Sequence, residues 1–381
     1  MNILVIVFHF PPISGGGVIV AVEIVNHFAK LGHSVTVLTP DILWNGPKYN
    51  PELHSNVNVI KIDVPSKDKI KIAARRCKNF LKDKAIKLCK EKKYDFIFSI
   101  FHPFHMAPHA AVEVGKKLNV PTIIKIDDAI YQKATGFKSI QRKIEKVYNT
   151  KALKNASLIL VSNNETKTIV ENFYGLDSKN ISLLPNGVDL EKFSQSNLKS
   201  KKIIFSGVMY HHRGLDILLN AMPNILKEIP DLEVLLYGNG PEIENLKLIV
   251  NEKNLDSSVK FMGWIENGQV PDILSECSLG IGPLRLTDVT KGALPIKVLE
   301  YMASSLPIIA IADSLPLDIL HDAENGYFVK NQQDLEKRII EIFSNDDLRV
   351  NMGMKSREIV TNYDWKLLST KIISYFENLT H

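Results

Sequence analysis

Cysteine is scarce: Cys77, Cys89 and Cys277 are the three in 381 residues. No two form a CxxC pair, which excludes a disulfide framework and a zinc site and leaves reduced thiols. Long apolar runs are missing as well. No stretch approaches the roughly 18–20 consecutive apolar residues that a membrane-spanning helix requires. The opening run 1–7 lacks a basic n-region and a cleavage site, so it reads as a buried strand rather than a secretion signal, and a cytoplasmic location is expected. No Asp-x-Asp or histidine cluster calls for a metal. Charge of one sign is not in large excess either: 47 Lys and Arg face 42 Asp and Glu, a net +5, and no nucleic-acid partner is expected.

What is present is a globular composition, 45% hydrophobic and 23% charged. The chain is too long for one ordinary core, so two domains are expected. The first half opens with a strand over 2–8, a Pro/Gly loop, an apolar-periodic helix over about 18–31 stopped by Gly32, and a strand over 34–39. That order begins a parallel, doubly wound sheet. Further strands are predicted at 58–62, 96–100, 122–126 and 158–162. Asn186-Gly187-Val188-Asp189 is a turn signal, and the polar stretch that follows has linker composition. A second series then starts: strands at 202–206, 233–237, 259–262, 279–282 and 308–311, with helices at 215–227, 243–253 and 295–303. The expected boundaries are 1–185 for the first domain, 186–201 for the linker, 202–362 for the second domain and 363–381 for a terminal helix. Ligands of open α/β sheets sit beyond the carboxyl ends of strands, and two such sheets facing each other would make a cleft.

Several segments carry candidate chemistry. Pro295 suits the first position of a helix in which Val298, Leu299 and Met302 face a core and Lys297 and Glu300 share the opposite face. The preceding Gly292-Ala293-Leu294 loop would offer free amides at a helix start, which suits a diphosphate, but spacing alone favours an exposed i, i+3 ion pair. Strand 202–206 runs into Gly207, His211, His212 and Arg213, whose guanidinium would stand at a helix start with its fork free for phosphate oxygens. Tyr237-Gly238-Asn239-Gly240 and Phe261-Met262-Gly263 follow strands and read as close-approach loops or as simple turns. Gly15-Gly16-Gly17 precedes the first helix as an amide-rich loop without the spacing of a dinucleotide fingerprint. His102, His105, Asp127 and Asp128 follow strands on one side of the first sheet, either as site residues or as strand-end and turn-capping groups.

Glu300-Tyr301-Met302-Ala303 followed by Pro307-Ile308-Ile309, the glycine loop, the 32–40 strand and Pro185-Asn186-Gly187-Val188-Asp189 resemble glycosyltransferase family 4, which has the GT-B fold of two Rossmann-like domains facing across a cleft. The likeness covers nearly the whole chain and is strongest at 2–40, 181–189 and 202–310. The family's first glutamate of the donor motif falls at Gly292, its loop arginine at Val208, and its histidine before aspartate at Asp127. The resemblance implies a retaining hexosyltransferase, metal-independent and without a resident cofactor, that takes a sugar from a nucleotide diphosphate sugar, UDP-linked by preference. The acceptor is a saccharide or lipid-linked hydroxyl of surface polysaccharide or glycolipid synthesis. It implies donor binding by Gly16, Gly17, Gly207, Arg213, Gly238, Met262, Gly292, Ala293, Leu294, Lys297 and Glu300. Catalytic roles fall to Arg213, Lys297, His102 and Asp127, and acceptor binding to His105 and Asp128. A nucleotide-sugar 2-epimerase and a non-catalytic binding protein are the rival expectations, with a dehydrogenase, for which Asp41 near the glycine loop is the one hint, as the third.

One segment stands apart. Residues 66–93 hold twelve Lys or Arg against three Asp or Glu. They read as a basic amphipathic helix with Ile70, Ala73, Cys77, Phe80, Leu81, Ala85 and Leu88 on its apolar side. Two readings fit: peripheral docking on an anionic membrane at its inner face, or a helix packed on the sheet with a solvated lysine face.

Overall fold

The computed structural model describes residues 1–127, 137–287, 289–291 and 293–380. They divide into two compact units, 1–186 with 365 onward, and 187–364. The first contains strands β1 (Asn2–Ile6), β2 (Ser34–Pro40), β3 (Val57–Ile62), β4 (Phe96–Phe101), β5 (Thr122–Ile126), β6 (Leu158–Val161) and β7 (Ile181–Leu183). Its helices are α1 (Gly16–Lys30), α2 (Ile70–Arg76), α3 (Lys78–Glu91), α4 (Ala107–Leu118), α5 (Phe137–Leu153) and α6 (Asn164–Tyr174). The second contains α7 (Leu215–Glu228), α8 (Ile243–Glu252), α9 (Val270–Ser275), α10 (Ile296–Ala303), α11 (Gln332–Ser344) and α12 (Asp346–Val360). Its strands are β8 (Lys202–Ser206), β9 (Glu233–Tyr237), β10 (Val259–Gly263), β11 (Leu279–Ile281), β12 (Ile308–Ile311) and β13 (Gly326–Val329). Helix α13 (Trp365–Thr380) rejoins the first unit, with Phe376 packed on Phe96 at 4.8 Å between ring centroids.

Each unit is built on one parallel sheet, in the order β3-β2-β1-β4-β5-β6-β7 and β10-β9-β8-β11-β12-β13. The central strands are runs of Ile, Leu, Val and Phe buried on both faces, as helix-covered parallel strands must be. Register follows from this burial: Ile3, Leu4 and Val5 sit opposite Val35, Thr36 and Val37. In each sheet the order reverses at one place, between β1 and β4 and between β8 and β11, and there the crossovers diverge to leave a crevice at the strands' carboxyl ends.

Most predicted strands lie within a residue or two of the observed ones, but several expectations need correction. The first helix begins at Gly16, so Gly16 and Gly17 form its first turn rather than a loop before it. Pro295 stands at the N-cap, outside the helix, with φ −66° and ψ 134°. The basic segment forms two helices, α2 and α3, joined at Cys77. Ala73, Cys77, Leu81, Ala85 and Leu88 are buried there, whereas Phe80, expected on the apolar side, is exposed. Segment 186–201, read as a linker, is laid against the second unit, with Phe193 and Leu198 buried and the Ser196 and Asn197 amides donating to the Ser304 and Ser275 carbonyls. Strands β7 and β13 were not anticipated.

Helix α10 is held against β8 by Tyr301. Its hydroxyl, in a fully buried side chain, accepts from the Ser206 amide at 2.8 Å and lies 3.1 Å from the Ser206 hydroxyl. Tyr301→Phe leaves that amide without its partner and should lower unfolding stability by about 1–3 kcal/mol. Urea unfolding of the purified variant checks this; an unchanged midpoint and slope would remove the anchoring role.

Candidate functional site

In the second unit, three loops leave the carboxyl ends of β8, β9 and β10 side by side. The Gly207 amide donates to the Tyr237 carbonyl and the Met209 amide to that of Asn239, each at 2.9 Å, and Gly238 donates to Gly263 at 2.6 Å. Gly238 has φ +120°, and a Cβ there would run into the Gly207 carbonyl, so glycine is what lets these strands' ends close up. The β8 loop then makes a 3₁₀ turn, His211–Arg213, and the Leu284 amide just past β11 donates to the Arg213 carbonyl at 2.9 Å. Arg213 is thereby fixed at the point where strand order reverses. Arg285 braces the same turn, donating to the His211 carbonyl and to Asp216, both at 2.7 Å.

Helix α10 brings Lys297 to this place. Its Nζ stands 3.4 Å from the centroid of the Phe205 ring, and a Cβ on Gly207 would lie 3.7 Å from it. The amine is therefore turned inward beneath the β8 loop, which corrects the reading of a surface ion pair with Glu300. Burial holds the Lys297 pKa well below the usual lysine range; the Arg213 charge lowers it further, and Glu300 opposes both. The same field reaches His212, whose pKa is lowered by burial and then by Arg213, Lys297 and His211, while its ring stacks on Tyr210 at 5.2 Å. Two cations and an imidazole thus face one small region, an arrangement that an anion relieves. Ala293 and Leu294 are half-buried just before α10, and Met262 is exposed at the end of β10. Gly292 and Asp128 lie outside the described residues.

In the first unit, the reversal point carries histidines. His9 follows β1, and His102 and His105 follow β4. His105 lies 4.4 Å from His9 and 4.2 Å from His102 between ring centroids. Burial lowers all three. His9 falls to about 4, helped by His102, and His105 to about 2, helped by His9 and His102, so both rings are neutral at pH 7. They line a cavity of about 530 Å³ with Gly17, Val18, Trp44 and Phe104, and with Lys71 and Arg75 from α2. His9, Trp44 and Phe205 were not singled out from sequence. His9 had a usable signal, since it stands just past β1 as His102 stands just past β4. Asp127 is not among the cavity residues. Its carboxylate is paired with the fully buried Lys125, which also donates to Asn186 at 2.9 Å, and its carbonyl accepts from the Ser162 hydroxyl at 2.7 Å.

Two parallel doubly wound units, each with its polar groups gathered where strand order reverses, define the GT-B class of glycosyltransferase folds. Residues 14–192 match the model of "Glycosyltransferase Family 4" and residues 189–359 that of "Glycosyl transferases group 1"; together they span most of the chain, which belongs to glycosyltransferase family 4. Among curated relatives, the alpha-monoglucosyldiacylglycerol synthase of Acholeplasma laidlawii is 23% identical, over 92% of this chain and 90% of that one. The phosphatidyl-myo-inositol mannosyltransferase of Mycolicibacterium smegmatis is 24% identical over 52% of each, so the chain spans about half the length of that relative. Solved structures of the same fold include the sucrose-phosphate synthase of Thermosynechococcus elongatus, with a TM-score of 0.75 at 18% identity and coverage of 100% of this chain and 99% of that one. Anabaena HepE in complex with UDP superposes with a TM-score of 0.74 at 15% identity, covering 99% of this chain and 100% of that one. Among the described residues, no helix is long and apolar enough to cross a membrane.

The depressed Lys297 pKa has a signed consequence. Below the folded value the lysine is protonated in both states. Between that value and the ordinary 10.5 it is neutral when folded and protonated when unfolded, so unfolding takes up a proton and stability rises with pH. Wild-type unfolding free energy should therefore climb through the alkaline range relative to Lys297→Met. Parallel pH profiles for the two proteins would show that the amine titrates normally.

Proposed function

We propose that this chain transfers a sugar from a nucleoside diphosphate sugar to a hydroxyl acceptor with retention of anomeric configuration. The observation that carries the reading is the paired placement of the Lys297 amine and Arg213 where strand order reverses in the second sheet, beside the glycine loops that end β8 and β9. A pyrophosphate is the anion this place suits: it brings the negative charge that two mutually repelling cations lack, and the start of α7 after Gly214 adds its dipole. Glu300, one turn along α10 from Lys297, is assigned to the ribose hydroxyls.

The difficult step is departure of the nucleoside diphosphate from the anomeric carbon. Negative charge grows on the leaving oxygen, and preorganised cations lower that barrier. Arg213 and Lys297 supply them in a dehydrated setting, so the charge requirement is met by side chains and metal independence is part of the proposal. The acceptor hydroxyl enters on the leaving-group face, and its proton passes to the departing phosphate oxygen. Acceptor recognition is assigned to the first-unit cavity, where the neutral rings of His102 and His105 suit hydroxyl groups. UDP is the favoured nucleotide, supported by the UDP held in the Anabaena HepE structure. The names of the lipid-modifying relatives support a glycolipid or polysaccharide acceptor.

Thermal unfolding with UDP, ADP and GDP tests the donor site. A nucleotide at about a hundred times its Kd stabilises by about 2.7 kcal/mol. With the corresponding sugar donor and a lipid-linked acceptor, Arg213→Ala and Lys297→Ala should each cut kcat by about 10²–10³ while remaining folded. Unchanged kcat in both variants would refute the assignment. Tight nucleotide binding without turnover on any acceptor would favour a binding protein, and an epimerised sugar formed without acceptor would favour a 2-epimerase.

A further inference from the structure

Helix α5 is packed the wrong way round for an ordinary surface helix. Ile140, Ile144 and Val147, spaced to share one face, are 57%, 64% and 70% exposed. On its inward side Asn149 is buried ahead of the apolar Ala152 and Leu153, lying 3.0 Å from the His109 ring nitrogen and donating to the Pro103 carbonyl at 3.2 Å, and Arg142 lies over the Phe104 ring at 4.9 Å. A helix packed for its own stability turns its apolar stripe to the core. Here the described apolar anchoring is Ala152 and Leu153 at the helix end, and the stripe of Ile140, Ile144 and Val147 is left facing solvent.

The surroundings of the stripe are basic. Residues 137–153 hold five Lys or Arg against one Glu, and 66–93 hold twelve against three. The two regions adjoin, since Arg75 of α2 reaches Glu145 at 3.9 Å and Lys78 of α3 reaches the Tyr148 hydroxyl at 3.3 Å. A partner must therefore offer aliphatic surface and negative charge together. A second copy of this face would set like charges against each other, and a nucleic acid has no aliphatic layer to receive isoleucines. An anionic bilayer has both, with acyl chains below a phosphate plane.

We propose that the exposed stripe of α5, flanked by the basic side chains of α2 and α3, docks the first unit on the surface of an anionic lipid bilayer. Ile140, Ile144 and Val147 enter the boundary between headgroups and acyl chains, and the lysines contact the headgroups. The main apolar contact thus comes from α5, while the 66–93 segment spends most of its apolar positions on the protein core and leaves Ile72 and Phe80 exposed. The proposal is independent of the sugar-transfer reading, because binding can be measured without donor or acceptor.

Flotation of the full chain with vesicles tests it. Vesicles of phosphatidylcholine mixed with phosphatidylglycerol should carry the wild type, and phosphatidylcholine alone should not. Substituting Ile140→Ser, Ile144→Ser and Val147→Ser together should lower partitioning by about tenfold or more while leaving the thermal melt unchanged, because these side chains are exposed. The proposal is overturned if the wild type does not float with anionic vesicles, or if the triple variant floats as well as the wild type. It is equally overturned if sedimentation shows a wild-type dimer that the triple variant dissolves.

Discussion

The second unit is organised around a lysine amine turned in from solvent beside a second basic group. A lysine ammonium is costly to bury, and a second cation nearby raises that cost. The Lys297 amine is nonetheless set against the Phe205 ring with Arg213 in its field. A ring face recovers part of the lost hydration through its quadrupole, but it does not neutralise the charge. The neighbouring structure keeps this arrangement from relaxing. Tyr301 pins α10 to β8, the glycine contact between the β8 and β9 loops closes the space above, and the Arg213 carbonyl is tied to the strand beyond the reversal point. A nearby anion would favour the protonated amine and so oppose the burial that lowers its pKa.

The first unit solves the opposite problem. Its reversal point is lined by imidazoles that burial strips of charge. The only described cations lining the cavity, Lys71 and Arg75, come from α2 and not from the strand ends. A neutral, hydrogen-bonding floor suits hydroxyl groups, whereas a cationic floor would suit anions. Asp127 fits this division. Where the family resemblance places a histidine, this chain has a carboxylate already engaged by a buried lysine, and that lysine also holds Asn186, the last residue before the second unit begins. Breaking a buried ion pair on one side strands the other charge, so Asp127, paired with the fully buried Lys125, has the energetics of a structural anchor.

Much of the fold was legible because parallel strands announce themselves. Runs such as Ile3 to Val7 and Ile308 to Ile311 are apolar without alternation and are bounded by turns, and nearly all such runs became strands. β13 escaped because Gly326-Tyr327-Phe328-Val329 is short and opens on a glycine. At the site, Lys297, Arg213 and the glycine loops could be located from helix starts, strand ends and motif likeness. The ring beneath the amine could not, because Phe205 is a residue in an ordinary buried strand until α10 is laid across it. The inward turn of Lys297 is likewise a tertiary fact. The i, i+3 spacing with Glu300 is the same whether the side chain lies on the surface or under a loop.

Helix α5 shows where periodicity runs out. Its residues obey a helical repeat equally well whichever face points inward, so sequence spacing identifies the helix and leaves its orientation open. The choice was made by partners that are distant in sequence. Asn149 is placed to meet the Pro103 carbonyl and the His109 ring, and those bonds can form only if the polar face is buried. Once that face is committed, the isoleucines have nowhere to go but outward. The basic segment over 66–93 shows the complementary effect: its most periodic apolar positions were drawn into the core, leaving the charge exposed with only Ile72 and Phe80 of its large apolar side chains at the surface. Charge and apolar surface that a single amphipathic helix would combine are here supplied by neighbouring helices. An anionic, partly apolar surface would engage the two sets together only when both are presented on the folded unit.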